Sequence, residues 1–216
     1  YKKDGFDITP VKSGDARKLF EYALWLNIKE KRQEYIDFIR GITPIVVELF
    51  EVVLKSKGKL DINDYCKVNK YGVRKWDKVT RNLPGRSDSI SEITDREYRE
   101  KHSEDANLSR FSLSNVYSEA LLYLLRNLVD DTTLLDVANN LRSVEEKVRN
   151  LAAHDIVSLD GNDIKNRTGF TPSQIMDMIK KLFAYTNFGI KPEYWNSYEE
   201  MNRELKRRIS DHAERN

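Results

Sequence analysis

The sequence predicts an all-α fold, a helical bundle that is interrupted by one irregular, charged insertion. Apolar residues recur three or four positions apart through most of residues 15–58 and 111–209, which is the period of helices that bury one face. The chain has only nine glycines and five prolines in 216 residues, and a third of its residues are charged. That composition is typical of a helix-rich globular protein.

Gly41 marks the predicted boundary between the first two helices. The stripe that includes Leu19, Ala23 and Leu26 predicts a long helix that stops or bends at this glycine. We predict that the next helix starts with Thr43 as its N-cap and Pro44 at its first helical position, and that Gly58 ends it. It is apolar on nearly all sides from Val46 to Leu54, so we expect it to lie at the centre of the bundle.

Residues 59–110 break the helical pattern. Between Lys67 and Arg86 there are seven bases and one acid, whereas Asp88–Asp105 holds seven acids and three bases. We predict an insertion with a short helix at about Asn63–Val68, a small hairpin and a mobile acidic portion.

Helical periodicity then returns in four segments. It predicts helices over Ser112–Leu128 and Asp131–His154, followed by a loop that contains Gly161 and Gly169. A further helix opens at Thr171, which forms a capping box with Gln174. The last helix runs from Ser197 to about Ile209, and Ser197 and Glu200 are predicted to form its capping box.

Charge and cysteine content limit the possible functions. The formal net charge is only +2, so any contact with nucleic acid must come from local clusters. A single cysteine, Cys66, excludes an internal disulfide, and we expect a cytoplasmic protein. No apolar run approaches the ~20 residues that cross a bilayer. Because the chain begins at Tyr1, we expect residues 1–14 to be a linker from a missing upstream domain and residues 15–216 to be one domain.

The stretch "EEKVRNLAAHDIVSL" holds the most reactive combination of side chains, Arg149, Asn150 and His154. Metal-free RNA cleavage uses the substrate 2′-hydroxyl as nucleophile and needs proton transfer, for which histidine has a suitable pKa of ~6.5. It also needs a cation at the phosphate, and arginine is always charged and offers a fork of donors. Asn150 could hold the phosphate, the guanidinium or the imidazole. We predict no metal and no cofactor, since the acids are scattered along helix faces and the insertion. The absence of a G-x-S-x-G turn argues against serine catalysis.

Arg149 and His154 are five positions apart, so a straight helix separates their directions by about 140°. Either the helix ends or distorts between them, or they line two sides of a cleft. A symmetric homodimer could also combine two arginines and two histidines around one phosphate. The plain alternative is a helix C-terminus whose polar side chains face water.

The hexapeptide "RNLAAH" matches the Arg-polar-x3-His motif of HEPN ribonucleases, with Asn150 in the polar position. The stretches "LFEYALWLNIKEKRQEYIDFIRGITPIVVELFE" and "GFTPSQIMDMIKKLFAYTNFGIKPEYWNSYEEMN" resemble one branch of that family. This branch is the ancillary ribonuclease of type III-A CRISPR systems, which acts in antiviral defence. The resemblance covers most of residues 15–58 and 111–209 and implies a helical bundle of the HEPN type.

That resemblance implies a homodimeric, metal-independent endoribonuclease that cuts single-stranded RNA at a composite site. Full-length members carry an N-terminal CARF sensor domain that binds cyclic oligoadenylate. We find no Rossmann-like segment here, so this messenger would act only through the missing upstream domain. Two alternatives stay open, a HEPN toxin of a toxin–antitoxin pair and a non-catalytic helical module that binds RNA or dimerises.

Two basic groups are candidates for RNA binding. The first lies in the insertion, where Arg74, Lys75 and Trp76 combine phosphate-binding charge with an aromatic ring. A basic surface loop that pairs with the acidic segment after it explains the same residues equally well. The second comprises Lys180 and Lys181, one helix after the motif, which would share its cleft unless they are ordinary solvated lysines.

Overall fold

A computed structural model describes residue 11 and residues 14–102, 111–154 and 159–213, with side chains omitted for 149–154 and 213. Helices dominate, and the prediction of an all-α bundle is confirmed. The helices are α1 Gly14–Lys31, α2 Tyr35–Arg40, α3 Ile42–Ser56, α4 Ile90–Lys101, α5 Ser118–Leu128, α6 Thr132–His154, α7 Gly161–Thr168, α8 Pro172–Ala184 and α9 Ser197–Ala213. Two 3-10 turns, Ile62–Tyr65 and Pro192–Asn196, and the strands β1 Cys66–Val68 and β2 Arg74–Trp76 complete the described elements.

Helix α3 lies at the centre of the bundle, as its sequence predicts. It packs against α1, α2, α5, α6 and α8. Its residues Ile45, Val46, Leu49, Phe50 and Val53 are fully buried, while a narrow stripe at Pro44, Glu48 and Lys55 is exposed. Removal of this apolar surface from water is the main favourable term for folding.

Helices α6 and α8 pack against each other in opposite directions, with α7 between them in the chain. At the C-terminal end of α8, the Tyr185 carbonyl accepts a 2.8 Å hydrogen bond from Ser56 Oγ at the end of α3. At its N-terminal end, Ser173 Oγ donates to Glu30 at the end of α1 at 2.5 Å. These contacts define two ends of the bundle. The last turn of α6 lies at the end where α7 leads into the start of α8.

The boundary between α1 and α3 differs from the prediction. The first helix ends at Lys31, and Gln33 adopts a left-handed φ of 59° before α2 begins. Helix α3 starts at Ile42, and its N-cap position is Gly41, which makes no side-chain cap bond. The prediction that Thr43 is the N-cap is therefore wrong.

Gly41 is required by close packing rather than by an unusual backbone angle. Its φ is −81°, but a Cβ placed there would lie 2.5 Å from Leu26 Cδ2 and 2.9 Å from the Trp25 ring. The carbonyl of Gly41 also accepts a 3.2 Å hydrogen bond from the Tyr22 hydroxyl. Helix α1 and the start of α3 thus approach each other so closely at Gly41 that only a hydrogen atom fits in place of a side chain.

The insertion is more ordered than predicted. The hairpin is confirmed, with β1 and β2 paired antiparallel, but the helix predicted at Asn63–Val68 is instead a 3-10 turn that leads into β1. The prediction of a mobile acidic portion is wrong over Ile90–Lys101, which forms α4. Ser89 and Glu92 make a capping box there, and α4 packs on α5 because its first turns are apolar on one side. Residues 103–110 lie outside the described residues.

The later helices show one confirmed cap and three differences. The Thr171–Gln174 capping box is confirmed. Helix α5 begins at Ser118, six residues after the predicted start. Residues 161–168, predicted as loop, form α7, which Asp160 caps. The predicted Ser197–Glu200 capping box is wrong, since Ser197 Oγ is buried and has no hydrogen-bond partner in the described part of the chain.

No helix in the described ranges combines the length and the apolarity that crossing a bilayer demands.

We expect Gly41→Ala to lower the free energy of unfolding by about 1–3 kcal/mol, because the added methyl overpacks the contact with Leu26 and Trp25. The matched control is Gly161→Ala, whose Cβ would meet the Tyr35 hydroxyl, Tyr35 Cζ and Pro172 Cδ at ordinary van der Waals distances of 3.4–3.8 Å. Urea unfolding followed by circular dichroism measures both. Equal stability of the two variants would contradict the close-packing role of Gly41.

Candidate functional site

The site predicted from sequence lies on the last turns of α6, whose orientation is set by a buried stripe. Leu134, Ala138, Leu141 and Val148 are at most 1% exposed and recur three, four or seven positions apart. Helix α6 packs against α2, α3, α5, α7 and α8. Because α6 continues as a regular helix to His154, this packing also sets the register of the residues that follow it.

Arg149, Asn150 and His154 all lie on α6, within its final six residues. The helix neither ends nor bends into another element between them, so Arg149 and His154 remain about 140° apart around its axis. Their side chains lie outside the described residues. Their backbone positions can still be related to neighbours on the same helix.

Arg149 follows Arg142 by two helical turns, so the two positions lie within about 20° of each other around α6. Arg142 is buried among acids: its guanidinium lies 3.2 Å from Glu145, 3.4 Å from Glu146 and 3.8 Å from Glu119. Its Nε is buried without a hydrogen-bond partner in the described part of the chain. The side of α6 that leads to Arg149 is therefore strongly charged although it is enclosed.

The start of α5 completes this buried cluster. Glu145 is 0% exposed, and its carboxylate accepts a 2.6 Å hydrogen bond from Ser118 Oγ. Ser118 is the first residue of α5, so a hydroxyl and a carboxylate join two helices within the core. A buried carboxylate is tolerated only where such partners are supplied.

Glu119, next to Ser118, extends the cluster toward α4. Burial acts to raise the pKa of the Glu119 carboxyl, but three neighbours outweigh burial and lower this pKa. They are Lys101 Nζ, which donates a hydrogen bond at 2.8 Å, the Tyr123 hydroxyl, which donates one at 3.0 Å, and the positive charge of Arg142. Burial and the Glu119 charge raise the pKa of Tyr123. Glu119 therefore stays ionised and Tyr123 stays a neutral donor, so neither is suited to take up or release a proton near neutral pH.

His154 follows Lys147 by two turns, so it lies on another side of α6. Lys147 Nζ donates to the carbonyl of Thr168, the last residue of α7, at 3.4 Å. The α7 segment lies against α2, where Gly161 approaches Tyr35. Within one chain, the Arg149 position thus continues the side of α6 that faces α5, and the His154 position continues the side that faces α7.

Lys180 and Lys181 do not share the end of the bundle at which the motif lies. Asp131, just before α6, contributes to the electrostatic environment of Tyr185, just after α8, so the end of α8 lies near the start of α6. With a rise of 1.5 Å per residue, about 27 Å of helix separates Asp131 from Arg149, and Lys180, five residues before Tyr185, lies about 20 Å from the level of Arg149. Lys180 lies 3.7 Å from Asp177 and 5.9 Å from the Trp195 ring centroid, while Lys181 is exposed.

Arg74, Lys75 and Trp76 are consecutive, yet the hairpin separates them. Side chains alternate between the two faces of a strand, so Arg74 and Trp76 point inward and Lys75 points outward. Trp76 is only 7% exposed, which leaves no free ring face for a base. Arg74 makes two 2.6 Å hydrogen bonds with the Glu51 carboxylate of α3. We therefore retain only Lys75 of the three as a candidate RNA contact.

Cys66 and the carboxylates offer little alternative chemistry in the described residues. Burial raises the pKa of the Cys66 thiol to about 11, so it is protonated near neutral pH and is a poor nucleophile. No group of three or more histidine, cysteine, aspartate or glutamate side chains converges on a possible metal position in the described ranges.

A groove of about 340 Å³ lies between α1 and α3, away from the motif. Two acids and one lysine are among its lining residues, so its charge does not favour a phosphate chain. It is lined by Asp15, Lys18, Leu19, Tyr22, Pro44, Ile45 and Glu48.

Sequence reasoning missed the cluster of Ser118, Glu119, Arg142 and Glu145. One signal for it was present: Glu145 interrupts the apolar stripe of α6 between Leu141 and Val148. A charge at a core position requires a partner. The partner on α5 is 27 residues away in sequence, and only the packing of the two helices identifies it.

Comparison with known proteins gives one family. A family model described as Cas_Csm6 HEPN domain matches residues 8–206, nearly the whole chain. A search of curated proteins finds no match.

We expect Arg74→Ala to destabilise the fold by about 3 kcal/mol or more, because it leaves the buried Glu51 carboxylate unpaired. Lys75→Ala is the matched control and should cost less than about 0.5 kcal/mol, since Lys75 is exposed. Thermal and urea unfolding of the three proteins measures this difference. Similar losses in both variants would show that the ion pair is not what attaches the hairpin.

The destabilisation by Arg74→Ala should also depend on pH. Burial already raises the pKa of Glu51, and the two hydrogen bonds from Arg74 oppose that rise. Without Arg74, the Glu51 carboxyl binds its proton more tightly in the folded protein than in the unfolded chain. The loss of stability is therefore full at a pH above the raised pKa of Glu51, and it becomes smaller as the pH falls toward about 4.5. Adding Glu51→Gln should recover stability at neutral pH, and a pH-independent loss would contradict this explanation.

Proposed function

The chain belongs to the Cas_Csm6 HEPN domain family, and from this premise we propose that it is a metal-independent endoribonuclease that cleaves single-stranded RNA. Members of this family are CRISPR-associated HEPN effectors and are generally ribonucleases. The observation that carries the proposal is the Arg149-Asn150-x3-His154 motif at the end of α6, within the span that matches the family.

In the proposed reaction the 2′-hydroxyl of one ribose attacks the adjacent phosphorus. The bond from phosphorus to the 5′-oxygen of the next nucleotide breaks, and a 2′,3′-cyclic phosphate forms. His154 transfers a proton, since imidazole titrates near neutral pH and can act as base toward the 2′-hydroxyl or as acid toward the 5′-oxygen. Arg149 stabilises the extra negative charge on the phosphoryl oxygens, and Asn150 orients the phosphate or a catalytic side chain.

A homodimer is the simplest way to complete this site. On the regular helix α6, Arg149 and His154 lie about 140° apart, so one copy does not present them as a same-face pair. A two-fold axis beside the end of α6 would bring a second arginine and a second histidine to the same phosphate. Base and acid roles could then fall to different subunits.

The buried cluster before the motif supports a rigid position for Arg149. Arg142, Glu145 and Ser118 connect α6 to α5 through charged and hydrogen-bonded contacts on the side of α6 that continues to Arg149. Residues held on rigid elements lose less freedom when a reaction requires one geometry. We propose that these contacts support the catalytic end of α6.

The remaining parts of the proposal concern the whole protein. We propose that residues 15–216 form the effector domain of a type III-A antiviral defence protein and that residues 1–14 connect it to an upstream sensor. Cyclic oligoadenylate would act only through that sensor, and the cytoplasm is the proposed site of action. Lys75, and with less support Lys180 and Lys181, remain proposed RNA contacts.

We expect Arg149→Ala and His154→Ala each to reduce cleavage at least a hundredfold, because each removes a group that acts on the reacting atoms. The assay is a fluorogenic single-stranded RNA in excess chelator, with purified protein. His212→Ala, an exposed histidine on α9, is the matched control and should keep full activity. Wild type that is inactive in chelator, or a His154 variant that cuts equally well, would refute the proposal.

Subunit mixing tests the composite site. With equal amounts of wild type and His154→Ala allowed to exchange, a site that needs both histidines should retain about one quarter of the activity, and independent sites should retain about one half. Activity is measured at constant total protein after exchange is complete. Retention of one half would contradict a shared site while leaving the ribonuclease activity itself intact.

A further inference from the structure

The outward face of the hairpin carries an unusual pair of like charges. In the antiparallel ladder Lys67 lies directly opposite Lys75, and both side chains are exposed. Directly opposed residues have Cβ atoms about 4.5–5.5 Å apart, and like charges there are destabilising. The Lys67 ammonium has a carboxylate of Asp77 at 3.4 Å, but no ion pair is found for Lys75 among the described residues.

The tip of the hairpin presents an aromatic ring to solvent. Tyr71 is 76% exposed, and the Lys70 ammonium lies 4.9 Å from the centroid of its ring. The tip is held by Asn69, whose side-chain oxygen accepts hydrogen bonds from the backbone N–H groups of Tyr71 at 2.9 Å and Val73 at 3.0 Å. The exposed ring therefore projects from an organised turn.

The inner face of the hairpin already accounts for its attachment to the bundle. Trp76 is buried, Arg74 binds Glu51, and the Asp77 N–H donates to the Tyr65 carbonyl at 2.7 Å. The outer lysines and Tyr71 take no part in these contacts. Their position is not explained by folding, so a partner outside the chain is the natural complement to their charge.

We propose that this outer face, Lys67, Lys70, Tyr71 and Lys75, binds the backbone of single-stranded RNA, with Tyr71 stacking on one base. This inference rests on the proposed function, because it assigns a second contact for the same substrate. Residues 66–76 contain four bases and no acid, which complements a phosphate chain. The flat exposed ring favours a nucleobase over an acidic peptide, and only an unpaired base can leave its neighbours to stack there.

Arg74 anchors the hairpin to Glu51 near the end of α3, and Ser56 at that end bonds to the Tyr185 carbonyl, at the end of the bundle opposite the motif. The strand that contacts the hairpin therefore extends beyond the nucleotides at the scissile link. This arrangement predicts that the hairpin strengthens binding of long RNA and leaves very short RNA unaffected. A change in the overall fold would instead weaken both.

The test is binding of a fluorescein-labelled, uncleavable 2′-O-methyl RNA of about 15 nucleotides, followed by anisotropy over a series of salt concentrations. We expect Lys67→Gln/Lys75→Gln to weaken binding roughly tenfold and to reduce the salt slope by about 1.4, since each phosphate contact on a single strand contributes about 0.7. Tyr71→Ala should weaken binding roughly tenfold, and Tyr71→Phe should not. A four-nucleotide RNA should bind wild type and variants equally.

The matched control is Lys18→Gln/Lys206→Gln, which removes two exposed lysines from α1 and α9 and changes the net charge equally. It should leave the affinity within about twofold, because nonspecific charge alone is removed. If the hairpin variants lose no more affinity than this control, or if the salt slope is unchanged, the proposal is overturned. Because binding is measured without cleavage, an inactive wild type would refute the ribonuclease and not the hairpin site.

Discussion

The burial of one side of α6 is the constraint on which the arrangement of the candidate site depends. Leu134, Ala138, Leu141 and Val148 must stay buried where α6 packs against its neighbours, so the helix has no freedom to rotate about its axis. Every later residue of the same helix inherits that register. The angular separation of Arg149 and His154 follows from helix geometry, and core packing decides which side of the bundle each position faces.

Among the described residues, two carboxylates are buried in this apolar structure, and each connects the bundle to another segment. Glu51 on α3 binds Arg74 and thereby holds the hairpin. Glu145 on α6 lies beside Arg142 and accepts a hydrogen bond from Ser118, and this bond holds the start of α5. Buried ion pairs contribute little net stability, because desolvation offsets their attraction. Their effect here is specificity, since neither segment can shift without leaving a charge unpaired.

The proposed catalytic residues and the proposed RNA-binding hairpin lie on different parts of the bundle. With a net charge of +2, the chain has no general attraction for RNA, so affinity must come from a few places. The proposed chemistry lies at one end of α6, and the proposed hairpin contact lies on α3. A substrate that reaches both must be an extended strand, which is consistent with single-stranded RNA and with a nuclease that does not need to read a duplex.

Features that depend on residues close in sequence could be predicted without a structure. The Thr171–Gln174 capping box and the apolar stripe of α6 are of this kind, because a helix brings residues three and four apart together wherever it lies. The family motif from Arg149 to His154 could also be identified from sequence, because its residues lie within six consecutive positions. Tertiary packing alone decided the rest: it buried Trp76, paired Arg74 with Glu51 and left Lys75 exposed. It also placed Lys180 at the far end of the bundle, because contacts between distant segments depend on which faces the core must bury.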